Sequence, residues 1–350
     1  MVQHDVTLTA LNTFGLPCVA ERYLALTDPA QLHDPVLATA PGLVLGGGSN
    51  LLLRERVAGL TVHVCLGGVT RLDKPHFSGA DAGAGQGREA GGVHLRVGAG
   101  VDWNQLVRHT LHRGWAGLEN MILIPGTVGA APVQNIGAYG SEVAEFITAV
   151  HVWEYGVGPA VLPPAACAFG YRDSRFKREP ARYLITAVDL HVGRPDHRVR
   201  TDYGAIRAEL ARLDRAADPS AGDVALAVTN IRRSKLPDWF QLGNSGSFFK
   251  NPVVPRADHA RLLADYPDLP SYPIDADHVK LPAGWLIDRA GLKGQRRGPV
   301  GTYARQALVI VNHGGATGGD VLAFSERIGA TVAERFGVTL EREVRLVGQG

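Results

Sequence analysis

Three short segments carry side chains that could act on a substrate bearing a carboxylate. Arg172 lies in Gly-Tyr-Arg-Asp-Ser at 170–174, and a guanidinium can hold a carboxylate through two parallel hydrogen bonds. Ser247 follows Gly246 and precedes two phenylalanines, so its hydroxyl could meet a substrate beside an apolar wall. Glu343 belongs to an alternating run at 340–345, where burial would shift its proton affinity.

Each segment also has an ordinary structural interpretation, which is the stronger one when each is taken singly. Arg172 could pair with Asp173 at the surface, which stabilises proteins only weakly. Ser247 could be a turn residue whose hydroxyl bonds its own backbone. Charges on an alternating strand, such as Glu343, usually lie on a solvated face.

The stretch at 118–140, here called the central loop, could bring a flat ligand close to the backbone. Four glycines between 124 and 140 lack Cβ atoms, and Pro125 and Pro132 prevent the run from becoming a helix. Exposed backbone N–H groups among apolar residues suit a large planar cofactor with a charged tail. A structural loop rich in turn residues is the alternative, and for the loop alone it is the commoner case.

A second glycine cluster, Gly-Gly-Gly-Ser-Asn at 46–50, follows a predicted buried strand at 43–45. Successive backbone N–H groups in such a turn can point at one phosphate. The cluster is not a P-loop, because no Lys-Ser or Lys-Thr follows it. Leu51 occupies the third glycine position of a dinucleotide-binding fingerprint, which excludes that motif too. A tight turn between two strands remains an equal alternative.

Composition places the chain among ordinary globular proteins. Its 350 residues predict two or three domains, and 45% hydrophobic with 20% charged residues is typical of a globular fold. The net charge of +2 gives no reason to expect nucleic acid or an anionic membrane. The basic pairs at 232–233 and 296–297 are interpreted as solvated faces.

The cysteines and the hydropathy of the chain indicate which cellular compartment to expect. Cys18, Cys65 and Cys167 have neither metal-site spacing nor the pattern of a disulfide framework, so no metal is expected. The polar start at 1–10 does not resemble a signal peptide, and no apolar run reaches the length of a membrane span. We therefore expect a cytoplasmic protein.

The periodicities predict α+β elements that position these segments. Asp28 should cap a helix that starts at Pro29, and Asp102 a helix that ends before Gly114. The region 75–92 is interpreted as a surface insertion and 214–223 as a linker. The remaining predictions are strands at 23–26, 93–97, 149–154, 183–192 and 307–311, a strand pair or one long strand at 338–347, and helices at 202–213, 257–265, 280–291 and 320–336.

The motifs, taken in order, resemble those of the UDP-N-acetylenolpyruvoylglucosamine reductases (MurB). The set is far more specific than any member, and it spans nearly the whole chain apart from 75–92. The matching pieces are Asn-Thr-Phe-Gly at 12–15, Gly-Gly-Gly-Ser-Asn at 46–50, Gly-Ala-Gly at 98–100, Gly-Leu-Glu-Asn at 117–120, Ile-Pro-Gly-Thr-Val-Gly at 124–129, Gln-Asn-Ile-Gly-Ala-Tyr-Gly at 134–140, Gly-Tyr-Arg-Asp-Ser at 170–174, Lys-Leu-Pro at 235–237, Gly-Ser-Phe-Phe-Lys-Asn-Pro at 246–252, Ala-Gly-Trp-Leu-Ile-Asp at 283–288, Gln-Ala-Leu-Val at 306–309 and Leu-Glu-Arg-Glu-Val-Arg at 340–345.

This resemblance implies an α+β flavoprotein of the FAD-binding PCMH type, with two α+β subdomains and a C-terminal α+β substrate-binding domain. Its implied domains are 1–70 joined by a C-terminal strand at 338–350, then 71–236, then 237–337. FAD would be bound non-covalently. The implied FAD contacts are Gly46, Gly47, Gly48, Ser49, Asn50, Gly126, Thr127, Gly129, Asn135, Gly137, Ala138 and Tyr139.

The resemblance also implies the activity of a UDP-N-acetylmuramate dehydrogenase in peptidoglycan precursor synthesis. NADPH would reduce the flavin, which would then reduce the enolpyruvyl ether UDP-N-acetyl-3-O-(1-carboxyvinyl)-glucosamine. Ser247 would donate the proton, and Arg172 and Glu343 would polarise the carboxylate. A monomer is expected. The implied substrate contacts are Tyr171, Tyr203, Lys235, Asn251, Tyr272, Lys280 and Gln306.

Tyr203 matches the gating tyrosine of a subgroup with an extra loop, although Asp202 is inserted before it.

Two rival functions stay open. A sugar or lactone oxidase on the same flavoprotein fold is the first, and the set Ser247, Lys280 and Glu343 argues against it. A flavin-binding protein without turnover is the second.

Overall fold

The computed structural model describes residues 1–77 and 91–349, and these contain the helices and mainly antiparallel sheets of an α+β protein, with parallel pairs between residues 43–45 and 61–63 and between residues 51–53 and 345–347. Residues 78–90 of the predicted insertion lie outside the described residues. No helix within the described ranges has both the length and the apolarity of a membrane span.

The strands are β1 Gln3–Thr7, β2 Val19–Leu26, β3 Leu43–Leu45, β4 Leu51–Leu53, β5 Arg56–Val64, β6 Val69–Leu72, β7 Val93–Gly98, β8 Gly137–Ala138, β9 Ser141–Glu142, β10 Ile147–Glu154, β11 Gly158–Leu162, β12 Tyr183–Val192, β13 Gly243–Ser247, β14 Val253–Pro255, β15 Tyr272–Pro273, β16 His278–Lys280, β17 Arg296–Arg297, β18 Val300–Tyr303, β19 Gln306–Asn312 and β20 Arg345–Val347. The α-helices are α1 Trp103–His112, α2 Pro164–Cys167, α3 Arg175–Arg178, α4 Gly204–Arg212, α5 Ala221–Lys235, α6 Arg256–Asp265, α7 Ala283–Arg289 and α8 Gly318–Phe336.

The chain forms two compact units. The first unit comprises residues 1–4, 22–47 and 59–232, and the second comprises 5–21, 48–58 and 233–350. Each unit has its own hydrophobic core.

An antiparallel sheet with the order β11–β10–β12–β7–β6 is the framework of the first unit. The predicted strands at 93–97, 149–154 and 183–192 are confirmed within two residues. The predicted strands at 23–26 and 43–45 are confirmed within β2 and as β3, and the predicted helix at 202–213 is confirmed as α4.

The predicted helix after Asp102 is confirmed as α1. The Asp102 carboxylate accepts a hydrogen bond from Gln105 N at 2.8 Å, and Gly114 follows the helix with φ +73°. The indole Nε1 of Trp103 donates to Met121 O at 3.0 Å, so α1 anchors the central loop.

Two predictions in the first unit need correction. Asp28 caps a short 3-10 helix at Pro29–His33 rather than an α-helix, and a second 3-10 turn begins at Pro35. The predicted linker at 214–223 is wrong in its last three residues, where the unpredicted helix α5 begins. The buried face is hard to see in the sequence, because alanines occupy two of its positions and the large apolar Leu226 between them is exposed.

The second unit contains a β13–β19–β18–β17 sheet and a three-stranded β14–β16–β15 sheet, both antiparallel. The predicted strand at 307–311 is confirmed within β19. The predicted helices at 257–265, 280–291 and 320–336 are confirmed as α6, α7 and α8. Thr317 and Asp320 form a capping box at the start of α8, and Gly337 ends the helix with φ +69°.

The prediction of a strand pair or one long strand at 338–347 is wrong over most of that range. Only β20 is a strand, and it pairs in parallel with β4. Residues 341–343 run beside 248–250 instead, where Glu343 N donates to Phe248 O at 2.9 Å and Lys250 N donates to Glu341 O at 2.9 Å. This pairing is an isolated bridge between Phe249 and Arg342, so alternation along 340–345 does not produce a ladder.

Candidate functional site

The central loop and the turn at 170–174, here called the arginine turn, are joined within the first unit. Both were singled out in the sequence, and they meet through side-chain hydrogen bonds between residues that lie 35 to 41 positions apart in the chain. The bonds that join them include one from Ser174 Oγ to Val133 O at 2.6 Å, one from Asn135 Nδ2 to Gly170 O at 3.1 Å and one from Arg172 Nη2 to Gly137 O at 2.8 Å.

Arg172 has an unusual backbone in a turn that Gly170 and Asp173 close with two backbone hydrogen bonds, at 3.0 and 3.2 Å. Its φ is +53°, a region that residues with a Cβ seldom adopt. Asp173 forms an ion pair with Arg178, which makes a surface pair between Arg172 and Asp173 the weaker interpretation. The ring of the exposed Tyr171 lies 5.8 Å from the Arg172 guanidinium carbon. The turn therefore presents a guanidinium beside the central loop.

The first two residues of the glycine cluster pack against the central loop. A Cβ on Gly46 would lie 2.7 Å from Thr127 Oγ1, and one on Gly47 would lie 2.8 Å from Gly126 Cα. In residues 1–77 and 91–349, no protein acceptor is found for the backbone N–H groups of Gly46, Gly47 and Gly126. These donors could bind a phosphate, and the bared backbone could take the flat ligand beside it.

Two further glycines of the loop have packing reasons of their own. A Cβ on Gly129 would lie 2.5 Å from the Cβ of Ala99. One on Gly137 would lie 2.5 Å from Ser141 O, across the hairpin that β8 and β9 form. Both glycines are explained by close backbone approach, whatever the loop binds.

Tyr139 and Tyr203 meet at the end of the central loop. Their ring centroids are 5.6 Å apart with the planes at 78°, and Tyr203 is 56% exposed. The amide Nδ2 of Asn120 donates to Tyr139 O at 3.1 Å and to Arg200 O at 3.0 Å. These bonds hold the segment that precedes Tyr203 against the central loop. Burial raises the pKa of the Tyr139 phenol, so this hydroxyl stays protonated.

Ser247 and Glu343 lie on adjoining segments of the second unit. Gly246, with φ +71°, precedes Ser247 at an irregularity in the β13–β19 pairing. Ser247 is exposed, and its Oγ has no hydrogen-bond partner among the described residues, so the turn interpretation is not observed. Glu343 is half-buried, and Asn50 Nδ2 donates to its carbonyl oxygen at 3.3 Å.

The sequence-predicted substrate residues of the second unit form two groups. Tyr272 and Lys280 are direct partners across β15 and β16. Asn251 and Gln306 flank the first turn of α7: Asn251 Oδ1 accepts from Ala283 N at 3.0 Å, and Gln306 Oε1 lies 3.1 Å from the position of a Cβ on Gly284.

Lys235 and the last three residues of the glycine cluster also belong to the second unit. Lys235 is exposed at the end of α5, and no contact in the described ranges joins it to either group. Gly48 and Ser49 belong to the second unit, where a Cβ on Gly48 would collide with Leu11 O.

Arg232 contacts the candidate site although the sequence did not indicate it. The prediction that Arg232 and Arg233 form a solvated face holds for the exposed Arg233 but is wrong for Arg232. Arg232 Nη2 donates to Leu123 O of the central loop at 3.2 Å, and its Nε is buried. Its position four residues after the buried Val228 on α5 was the signal that could have indicated this.

Comparison with known proteins agrees with this geometry. The chain is 48% identical over 347 residues to the UDP-N-acetylenolpyruvoylglucosamine reductase of Chromobacterium violaceum, a match that covers 97% of each chain. The chain belongs to the UDP-N-acetylenolpyruvoylglucosamine reductase family. The reductase of that name from Xanthomonas euvesicatoria pv. vesicatoria is 46% identical, and the match covers 99% of this chain and 96% of that reductase.

Family models and a solved structure agree with membership of this reductase family. Residues 37–158 match an FAD binding domain, and residues 238–347 match the UDP-N-acetylenolpyruvoylglucosamine reductase C-terminal domain. The crystal structure of the Thermus caldophilus reductase (MurB) superposes with a TM-score of 0.64 at 26% identity, covering 99% of both chains. The predicted fold class is confirmed, and the protein is an FAD-dependent oxidoreductase.

Proposed function

We propose that this reductase uses NADPH to convert UDP-N-acetyl-3-O-(1-carboxyvinyl)-glucosamine to UDP-N-acetylmuramate, a step of peptidoglycan precursor synthesis in the cytoplasm. The observation that carries the proposal is the placement of the Arg172 guanidinium against Gly137 O, at the loop where a flavin ring would lie. Such a guanidinium suits a substrate with a carboxylate beside the carbon that is reduced.

The chain's own residues would handle the charge that this reduction creates. When bound, FAD accepts a hydride from NADPH and passes it to the terminal methylene carbon of the enolpyruvyl ether. Negative charge then spreads into the substrate carboxylate, where Arg172 would bind it through charge-assisted hydrogen bonds. Glu343 would help in its protonated form, by donating a hydrogen bond to the same carboxylate.

Ser247 would complete the reaction by delivering a proton to the carbon next to the carboxylate. Its exposed Oγ, without a protein partner in the described residues, is able to turn toward a ligand. A hydroxyl is a weak acid, so it donates a proton only to a strong base such as an enolate, and solvent must then reprotonate it.

We assign the proposed FAD contacts to two parts of the cofactor, its diphosphate and its flavin ring, according to where the glycine cluster packs against the central loop. Gly46, Gly47, Gly126 and Thr127 would bind the diphosphate, and Asn135, Gly137, Ala138 and Tyr139 would line the ring, with Gly48, Ser49, Asn50 and Gly129 as further contacts. Tyr171, Lys235, Asn251, Tyr272, Lys280 and Gln306 would bind the nucleotide substrate. Tyr203 would act as the gate of the tyrosine-loop subgroup, which its exposure and its contact with Tyr139 support.

The proposal includes three domains, which comprise residues 1–70 with 338–350, residues 71–236 and residues 237–337. It also includes a monomeric state. Two lysines in the substrate set suit a diphosphate. Gly48, Ser49 and Asn50 follow directly on the donors of Gly46 and Gly47 in sequence.

An anaerobic absorbance experiment tests the function. The purified yellow protein is reduced with NADPH, and then either the enolpyruvyl nucleotide or oxygen is added. We expect the nucleotide to restore the oxidised flavin spectrum much faster than oxygen does, with formation of UDP-N-acetylmuramate. Rapid reoxidation by oxygen and none by the nucleotide would favour an oxidase on the same fold instead.

A further inference from the structure

Arg232 is a partly buried cation of the first unit, and no ionised side chain of opposite charge pairs with it in the part of the chain that the structure describes. Its Nη2 donates to Leu123 O at 3.2 Å, and its Nε is fully buried without any hydrogen-bond partner among the described residues. Within those residues no carboxylate pairs with it. A guanidinium has five donor hydrogens, and a buried donor of a charged group that stays unsatisfied is costly to the folded protein.

The surroundings of Arg232 add positive charge instead of compensating it. Burial lowers the pKa of the guanidinium, the nearby Tyr139 raises it, and the charge of Arg172 lowers it further. Because Tyr139 is itself protonated, it offers a dipole and no full negative charge. Arg232 remains a cation, since an arginine is not deprotonated in proteins.

Such a group is suited to an anion that arrives with a ligand. Arg172 binds the central loop at Gly137 and Arg232 binds it at Leu123, so two guanidiniums hold the two ends of the segment between them. Arg172 and Arg232 would thus lie near a flavin ring held on this segment, and reduction of that ring by a hydride would leave it more negative, because two electrons enter with only one proton. A fixed cation near the ring stabilises that charge, and charge near the ring is a main means by which proteins tune flavins.

We propose that Arg232 supplies the positive charge that stabilises the reduced form of FAD on the central loop and raises its reduction potential. This role rests on the proposed function, because it requires the ring to lie on that loop. It differs from the role of Arg172, which binds the substrate carboxylate, and it gives Arg232 an effect that is present before any nucleotide substrate enters.

The reduction potential of the bound flavin tests this directly, without turnover. The potential is measured against reference dyes for the wild type and for Arg232→Gln, Arg232→Lys and Arg233→Gln. We expect Arg232→Gln to lower the ratio of reduced to oxidised flavin at least tenfold at a given potential, which is about 30 mV for a two-electron couple. Arg233→Gln, the exposed neighbour, should leave the potential unchanged.

The lysine variant separates charge from the tether to Leu123. An ammonium group keeps the charge but loses the guanidinium fork, so Arg232→Lys should retain a potential close to that of the wild type. An unchanged potential in Arg232→Gln would overturn the proposal. So would an equal fall in Arg232→Lys, which would show that only the tether matters and which remains measurable if Arg232→Gln loses its flavin.

Failure of the proposed function gives a different result. If the wild-type protein bound no FAD on reconstitution, the function would fail before any potential could be compared. If FAD bound and the enolpyruvyl nucleotide were reduced, with equal potentials in all four proteins, only the role of Arg232 would be lost.

Discussion

Arg172 donates a hydrogen bond of 2.8 Å from its Nη2 to the carbonyl oxygen of Gly137, while its own backbone has φ +53°. A residue with a Cβ in the left-handed region costs roughly 1–2 kcal/mol. Lys177 Nζ, which donates to Arg172 O at 2.7 Å, helps to hold this conformation. The turn therefore keeps a strained backbone in the conformation that delivers the guanidinium to the central loop.

Replacing Arg172 by Gln should affect the two half-reactions unequally. Only the second half develops charge on the substrate carboxylate, so flavin reoxidation by the enolpyruvyl nucleotide should fall about 10²–10³-fold. Reduction by NADPH should change far less. Stopped-flow absorbance measures both halves, with Arg175→Gln as the control because Arg175 pairs with Glu179 near the surface. Equal losses in both halves would assign Arg172 a structural role.

Gly47→Ala should weaken FAD binding. The new Cβ would lie 2.8 Å from Gly126 Cα, so the glycine cluster and the central loop would have to separate. Overpacking of this kind costs about 1–3 kcal/mol. Gly67→Ala is the matched control, since nothing lies within 4 Å of a Cβ there. Flavin content after purification and the midpoint of thermal unfolding are the measurements. Equal flavin content in both variants would contradict the proposal that FAD binds where the glycine cluster packs against the central loop.

Asn135→Ala should loosen the whole central loop. Asn135 is 1% exposed, and its amide bonds Glu142 at 2.7 Å, Gly170 O at 3.1 Å and Ala144 N at 3.1 Å. Its φ of +45° suits Asn better than Ala. We expect a loss of about 2–4 kcal/mol in the free energy of unfolding, measured with urea.

Asn230→Ala is the control for that change. Its side chain makes one hydrogen bond, from Nδ2 to Glu209 Oε1 at 2.7 Å, on a helix where Ala is favoured. It should therefore be nearly neutral. A neutral effect of Asn135→Ala as well would show that the loop does not depend on these three bonds.

Asp189 should make stability depend on pH in the acidic range. The side chain is 0% exposed, Arg96 Nε donates to it at 2.8 Å, and His151 Nε2 lies 3.0 Å from its other oxygen. Burial by itself would raise the pKa of the carboxyl, but the interactions with Arg96 and His151 outweigh it and lower the pKa. Because the folded pKa lies below the unfolded one, this stabilisation is present above about pH 4 and is lost as pH falls toward the folded value.

Asp189→Asn should therefore destabilise the protein most at neutral pH. We expect a loss of about 1.5–3 kcal/mol near pH 7, because the charge-assisted hydrogen bonds to this buried carboxylate are weakened. The difference from wild type should shrink near pH 3. Asp5→Asn, which removes an exposed pair with Arg56, should change little at either pH. A difference for Asp189→Asn that does not depend on pH would exclude this assignment.

Local signals predicted much of the secondary structure because they act within one turn. Asp102 and Gly114 bound α1, and Gly337 ends α8, with the capping geometry that their residue types favour. The failure at 338–347 has a long-range cause. Glu343 pairs through its backbone with Phe248, and the segment does not form the predicted strand. The alternation of residue types along 340–345 gives no sign of such a distant partner.

Motifs in the sequence indicated the candidate site residues Arg172 and Ser247. They did not indicate Arg232, which lies on a helix that the sequence analysis did not predict. Arg172 and Ser247 lie in segments whose residue types stand out. Arg232 sits beside Arg233 in a run that is typical of a solvated face, and only the helical phase relative to Val228 distinguishes the two. The positive φ of Arg172 was not predicted, although it lies in a local turn that two backbone hydrogen bonds between Gly170 and Asp173 close. The bond from Arg172 to Gly137 could not be predicted, because it joins segments 35 residues apart.

The most direct test of the central claim is the reoxidation of reduced Ser247→Ala by the enolpyruvyl nucleotide under anaerobic conditions. We expect NADPH to reduce the flavin of this variant at nearly the wild-type rate, since hydride uptake needs no proton from Ser247. We expect that the nucleotide then fails to restore the oxidised spectrum. Reoxidation at the wild-type rate, with UDP-N-acetylmuramate as product, would contradict the central claim.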